Sequence, residues 1–132
     1  MFLSINEHDP APIYLQIVSQ VKDQIAAGVL RPGDDLPGVR ELADTLNINL
    51  HTVHRAYQKL RDDGLIHLRL GRRAKIAPLR ESPPSQTDLE SALIAPLNQL
   101  ITEAYHLRLS DDDFRRLVDE LLQTRKERST RP

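Results

Sequence analysis

The chain has 132 residues, 39% hydrophobic and 28% charged, with 18 Lys and Arg against 19 Asp and Glu. That is the size of one domain, or of a small domain with an appendage, and two Phe with no Trp predict an aliphatic core. The absence of Cys excludes disulfides and thiolate zinc sites, and no apolar run reaches the roughly 18–20 residues that span a membrane.

Met1-Phe2-Leu3 does not open a secretory signal, so a cytoplasmic protein is expected. Residues 1–11 read as a polar, loosely ordered arm. A helix is predicted from Pro12, because proline suits a first turn and Ile13, Ile17, Val21 and Ile25 form an i+4 apolar row. Gly28 ends it. Val29-Leu30 and Arg31-Pro32-Gly33 then read as a short extended piece and a turn.

Val39, Leu42, Ala43 and Leu46 fall at i, i+3, i+4 and i+7, the stripe of a core-packed helix. After Asn47-Ile48-Asn49, the residues Val53, Ala56, Tyr57 and Leu60 repeat that stripe. Asn49 is the expected N-cap of this second helix, and Asp62-Asp63-Gly64 its stop. Two short helices joined by a turn of about 3–4 residues predict a helix-turn-helix, whose second helix can enter a DNA major groove.

Across Leu65 to Leu70, Ile66, Leu68 and Leu70 alternate with His67 and Arg69, which predicts a half-buried strand. Gly71-Arg72-Arg73 is a turn, and Ala74 to Pro78 returns as a second strand. A basic hairpin directly after a helix-turn-helix is a wing. Residues 79–86, LRESPPSQ, form the clearest linker. Thr87-Asp88-Leu89-Glu90 matches a capping box. Leu89, Leu93, Leu97, Leu100, Ile101 and Ala104 then make an apolar stripe, which Pro96 is expected to kink or restart. Ser110-Asp111-Asp112-Asp113 opens a last helix with Phe114, Leu117, Val118, Leu121 and Leu122 on its apolar face. The final TRKERSTRP reads as a frayed basic end.

The expected fold is mainly α with a small β-hairpin: an arm (1–11), a winged helix-turn-helix (12–78), a linker (79–86) and a two-helix dimerisation tail (87–127). Two short helices cannot bury both apolar stripes between themselves. A second subunit is the favoured partner, with Leu93, Leu97, Leu100, Ile101, Phe114, Leu117 and Leu121 at the interface.

Net charge near −1 is a poor guide, because the cations are concentrated. Residues 50–76 hold Arg55, Lys59, Arg61, Arg69, Arg72, Arg73 and Lys75 against Asp62 and Asp63, a local excess of five. Such a basic patch suits contact with phosphates.

The runs PIYLQI, PGDDLPGVRELA and TVHRAYQKLRDDGLI, in this order, resemble the GntR family of bacterial transcription regulators over residues 12–78. About 50 residues follow the wing, which resembles the YtrA-type branch with its short helical dimerisation tail. The resemblance implies a cytoplasmic homodimeric regulator, usually a repressor. It also departs from the family pattern. Gly38 stands where Ser is usual, Asn49-Leu50 where Ser-Arg is usual, and Gly71-Arg72-Arg73-Ala74 where the wing usually reads Gly-x-Gly-Thr. Leu50 cannot make the bidentate guanine contact of an arginine.

The expected DNA-binding set is Arg40, which matches the family's DNA-contacting arginine, with Asn49, Leu50, His51, Thr52, His54 and Arg55 on the second helix. Arg72, Arg73 and Lys75 join it from the wing. The bland reading of Arg40 is a surface pair with Asp44 at i+4. Gln58 lies a turn deeper on the same face, and Tyr57 is assigned to the core. His51 and His54 are not read as a metal pair, and no metal or cofactor is expected. With both in the reading helix, DNA binding is expected to change between about pH 6 and 7.5.

Expected partners are a double-stranded DNA operator and a second copy of the chain, and no membrane; a small-molecule effector is left open. A protein-binding winged helix with lost or weak DNA binding is the alternative, motivated by Leu50 and the altered wing. No Gly-rich phosphate loop, nucleophile elbow or convergent acid–base set marks an enzyme.

Overall fold

The computed structural model describes residues 1–130, with side chains through Glu127. The chain forms two compact units that divide after Leu79.

In the first unit, helix α1 (Ile13–Ala26) follows Pro12, which stands just outside the helix rather than in its first turn. Helices α2 (Val39–Leu46) and α3 (Leu50–Asp62) are joined through Asn47, whose left-handed conformation (φ 54°) turns the chain sharply. The predicted stripes converge. Ile17 and Val21 of α1, Leu42 and Ala43 of α2, and Val53, Ala56, Tyr57 and Leu60 of α3 are all buried. Gly64 (φ 78°) closes α3 as a residue without Cβ can.

The wing is shorter than the sequence suggests. Its strands β1 (Ile66–His67) and β2 (Lys75–Ile76) pair antiparallel, Ile66 opposite Ile76 and His67 opposite Lys75. Leu68 is half-buried and Leu70 fully exposed at the tip, so the predicted alternation ends early. Residues 33–36, of which only Gly33 was assigned, to a turn, supply a third edge instead. Gly33 N–H and Leu36 N–H donate to the Ile76 and Ala74 carbonyls, and Ile76 N–H donates to Asp34. This pairing drives Leu36 to zero exposure, a core residue that periodicity cannot reveal.

The expectation of a loose arm is corrected. Gln24, Gln20 and Gln16 of α1 each hold one arm residue by a paired hydrogen bond: Phe2, Ser4 and Asn6 in turn. Each glutamine accepts the backbone N–H and donates to the carbonyl of the same residue. The geometry follows from two rises. Four helical residues advance about 6 Å, and two extended residues about 6.6 Å. An i, i+4 row of glutamines therefore matches every second residue of an extended chain, and the intervening Leu3 and Ile5 pack on the core.

In the second unit the capping box is Ser85 with Asp88, two residues before the predicted Thr87; Ser85 Oγ accepts Asp88 N–H at 3.1 Å. Helix α4 (Gln86–Leu89) runs through one π turn (Glu90–Ile94) into α5 (Ala95–His106). Proline lacks an N–H and its ring clashes with the carbonyl four residues back. The widened turn, in which Ala95 N–H reaches Glu90, absorbs Pro96 without breaking the helix. Helix α6 (Asp111–Thr130) begins as expected, with Ser110 Oγ accepting Asp113 N–H. It continues through Thr130, which corrects the frayed end; Arg125, Lys126 and Glu127 are good helix formers. Arg131 and Pro132 lie outside the described residues.

No helix of the described residues is long and apolar enough to cross a membrane. Among the expected interface residues, Leu93, Leu97, Leu100, Ile101, Leu117 and Leu121 are exposed within this single chain and Phe114 is half-buried.

Candidate nucleic-acid interface

Helix α3 is held from below by its buried stripe and from its start by Asn49, whose Oδ1 accepts His51 N–H at 2.7 Å. With Val53, Ala56, Tyr57 and Leu60 turned inward, the helical repeat leaves His51, His54 and Arg55 exposed on the outer side. Thr52 and Gln58 are half-buried. Leu50 is also half-buried and packs against the core, so it stands apart from the outward group.

Tyr57 ties α3 to the approach to α2. Its hydroxyl donates to the Pro37 carbonyl at 2.6 Å. Burial pushes this hydroxyl well above the usual tyrosine range; Glu41 adds to the shift and Arg73 opposes it. It therefore stays a donor at any physiological pH. Gly38 caps α2 without a side chain, and Glu41 Oε2 accepts Gly38 N–H at 3.3 Å instead.

Arg40 follows Gly38 by two residues and is exposed. The Arg40–Asp44 pair does not form, and Arg40 makes no ion pair among the described residues.

Cations of the wing divide into two kinds. Arg73 pairs with Glu41 at 3.1 Å and Lys75 with Asp35 at 2.7 Å. The hydrogen bond and charge of Lys75 hold the Asp35 carboxyl below the usual range, with burial opposing. Arg69 and Arg72 make no ion pair among the described residues. Together with His67 these four line a shallow recess of about 120 Å³. On α3, Lys59 and Arg61 pair with Asp63 and Asp62. Arg55 instead lies over the Tyr14 ring, 3.9 Å from its centroid.

The structure thus places Arg40, His51, His54, Arg55 and Arg72 at exposed positions, with Asn49 as a cap and Thr52 half-buried. Sequence reasoning left out Arg69, although it lies in the basic window and alternates away from Ile66 and Leu68. Asp35 and Glu41 were missed as partners because they lie outside that window.

The model of the gntR family of bacterial regulatory proteins matches residues 13–76. HTH-type transcriptional repressor YtrA of Bacillus subtilis (strain 168) is 30% identical over 119 residues, 90% of this chain and 91% of that protein. The chain belongs to the GntR family. Among solved structures, this GntR chain is similar to a Listeria monocytogenes EGD-e protein described as a transcriptional antiterminator. The TM-score is 0.84 at 30% identity, covering 95% of this chain and 92% of that one. It is also similar to YtrA from Sulfolobus acidocaldarius, a GntR-family transcription factor, with TM-score 0.57 at 30% identity over 92% and 97% of the two chains. Likeness along both chains puts it on the YtrA-type branch, as a DNA-binding transcription regulator with a winged helix and a helical C-terminal region.

The departures from the family pattern acquire a physical content. Gly38 leaves α2 without a hydroxyl cap, Leu50 packs against the core at the position where the resemblance implies an arginine, and Ala74 is buried in the wing.

Proposed function

We propose that this GntR regulator is a cytoplasmic homodimeric repressor that inserts α3 into the major groove of a two-half-site operator. In this reading residues 12–78 bind DNA, 79–86 link, and 87–127 dimerise. The observation that carries it is the exposed outer face of α3, with Arg40 on α2 and Arg72 on the wing also exposed and in no ion pair among the described residues. His51, His54 and Arg55 supply donors to bases or phosphates, Arg40 to the backbone beside the groove, and the wing to the adjacent strand. Half-sites would be spaced by about one helical turn, near 34–36 Å, or a multiple of it.

Dimerisation is supported by the apolar faces of α5 and α6. Leu97 and Leu117 are each 45% exposed, and Leu100, Leu121 and Leu122 more so. Contiguous apolar faces of this kind mark a partner surface, and a second copy makes the two-fold assembly that paired half-sites need.

The test is a gel shift with the promoter DNA of the chain's own gene, together with sedimentation of the free protein. Specific retardation that is lost in Arg40→Ala, and a dimer that dissociates in Leu97→Glu, support the reading. A protein-binding winged helix is the competing reading, favoured by the inward Leu50 and by the paired Arg73 and Lys75. No retardation at low salt selects it.

A further inference from the structure

We propose that Tyr14 is a positioning residue for DNA binding, its ring holding the Arg55 guanidinium ready for a backbone phosphate. This rests on α3 being the DNA-reading helix. Tyr14 lies in the first turn of α1, half-buried and packed against the core, so the ring is fixed by the fold. Arg55 is exposed, and its Cζ lies over that ring, 3.9 Å from the centroid.

The way a cation is held decides what it can still do. Lys59 and Arg61 on the same helix are oriented by carboxylates, which also neutralise them. A ring face orients a guanidinium through its quadrupole and leaves the full charge in place. A guanidinium that meets a ring through its flat face keeps its five in-plane N–H groups able to donate. Arg55 makes no ion pair among the described residues, so it is held without being neutralised, the state best suited to a phosphate.

Position supports the assignment. The second link between these helices is Lys22 with Asp63 at 3.0 Å. From Tyr14 to Lys22 and from Arg55 to Asp63 are equal steps of eight residues, so α1 runs beside α3 in the same sense. Tyr14 sits beside the half of α3 that carries His51 and His54, and Arg55 leans towards the α1 flank. A guanidinium there meets the strand bordering the groove rather than the bases within it.

A phosphate contact is independent of sequence, so the full chain can be titrated against a duplex of arbitrary sequence over a series of salt concentrations. Arg55→Ala is expected to lower the slope of log K against log salt by about one. Tyr14→Leu should weaken binding about 2–5-fold, whereas Tyr14→Phe, which keeps the ring, should bind like the parent. In an Arg55→Ala background, Tyr14→Leu should add nothing. An equal loss with and without Arg55 would overturn the inference, as would an Arg55→Ala slope equal to the parent's or failure of Tyr14→Phe to restore binding. A parent chain that binds no duplex at low salt overturns the DNA-binding reading itself.

Discussion

Replacing Gln16 by Leu removes a side chain that is 7% exposed while keeping nearly its volume. Its amide makes three hydrogen bonds: it accepts Asn6 N–H at 2.9 Å and donates to the Asn6 and Ala11 carbonyls, each at 3.0 Å. At about 0.5–1.5 kcal/mol net per bond, and with Asn6 able to take up water, the loss should be about 2 kcal/mol. For a unit of this size that lowers Tm by about 8–16 °C. Gln20→Leu and Gln24→Leu break pairs that are already solvent-exposed, so each should cost under about 1 kcal/mol. Melting curves of the three single variants give the ranking, and amide exchange at Asn6, Ser4 and Phe2 reports the arm directly. Gln16→Glu adds a chemical control. Its carboxylate can accept Asn6 N–H but confronts two carbonyls with negative charge, so it should be worse than Leu at neutral pH and recover as acid protonates it. Equal small losses for all three glutamines would refute the docked arm.

Tyr57→Phe leaves the Pro37 carbonyl without its 2.6 Å donor. A loss of about 1–2 kcal/mol is expected, read as a lower Tm; an unchanged Tm would show that the bond does not support the fold. Asp63 gives a pH test. Burial raises its carboxyl, but hydrogen bonds and charges from Lys22 and Lys59 outweigh burial and hold it below the usual range. Its stabilisation is therefore fully present above the unfolded value near pH 4 and is lost as pH falls through the lower folded value. With all three side chains partly exposed, the pair network contributes only about 0.5–1 kcal/mol. Asp63→Asn should be less stable by that amount at pH 7 in chemical denaturation, and the difference should shrink in acid. A difference that grows in acid would contradict the sign.

Helices α1, α2 and α3 were legible because their apolar residues recur at the helical period, and one buried face suffices to set such a helix. The helix-turn-helix turn was legible as the gap between two such stripes, whereas the left-handed conformation of Asn47 that makes it, one that Asn tolerates, emerges only from the structure. What escaped was structure made by non-local pairing. The arm is polar in composition, yet its order comes from glutamines 10 to 22 positions away. Leu36 is buried by a strand edge that pairs with Ala74 and Ile76, a relation that no local window contains. The same reason hid the acids at the wing. A count over residues 50–76 could not include Asp35 and Glu41, which fold onto it.

Those two acids change what the basic window means for binding. A phosphate that takes Arg73 or Lys75 must displace a carboxylate, which is then left beside a polyanion. The exchange trades one partner for another and gains little. Arg40 and Arg72 carry no such partner among the described residues, so a phosphate neutralises a charge without displacing a carboxylate. Their truncation should therefore cost more affinity than that of Arg73 or Lys75, although all four lie on the winged helix-turn-helix. Glu41 and Asp35 invert the logic. Glu41→Gln frees Arg73 and removes an anion near the DNA, so it should tighten binding and steepen its salt dependence by up to about one counterion. Salt titrations of Arg40→Ala, Arg72→Ala, Arg73→Ala and Glu41→Gln decide the matter. Should Arg73→Ala weaken binding as much as Arg72→Ala, and Glu41→Gln weaken it too, then Glu41 serves to hold the wing in place, and orientation outweighs charge at this edge of the interface.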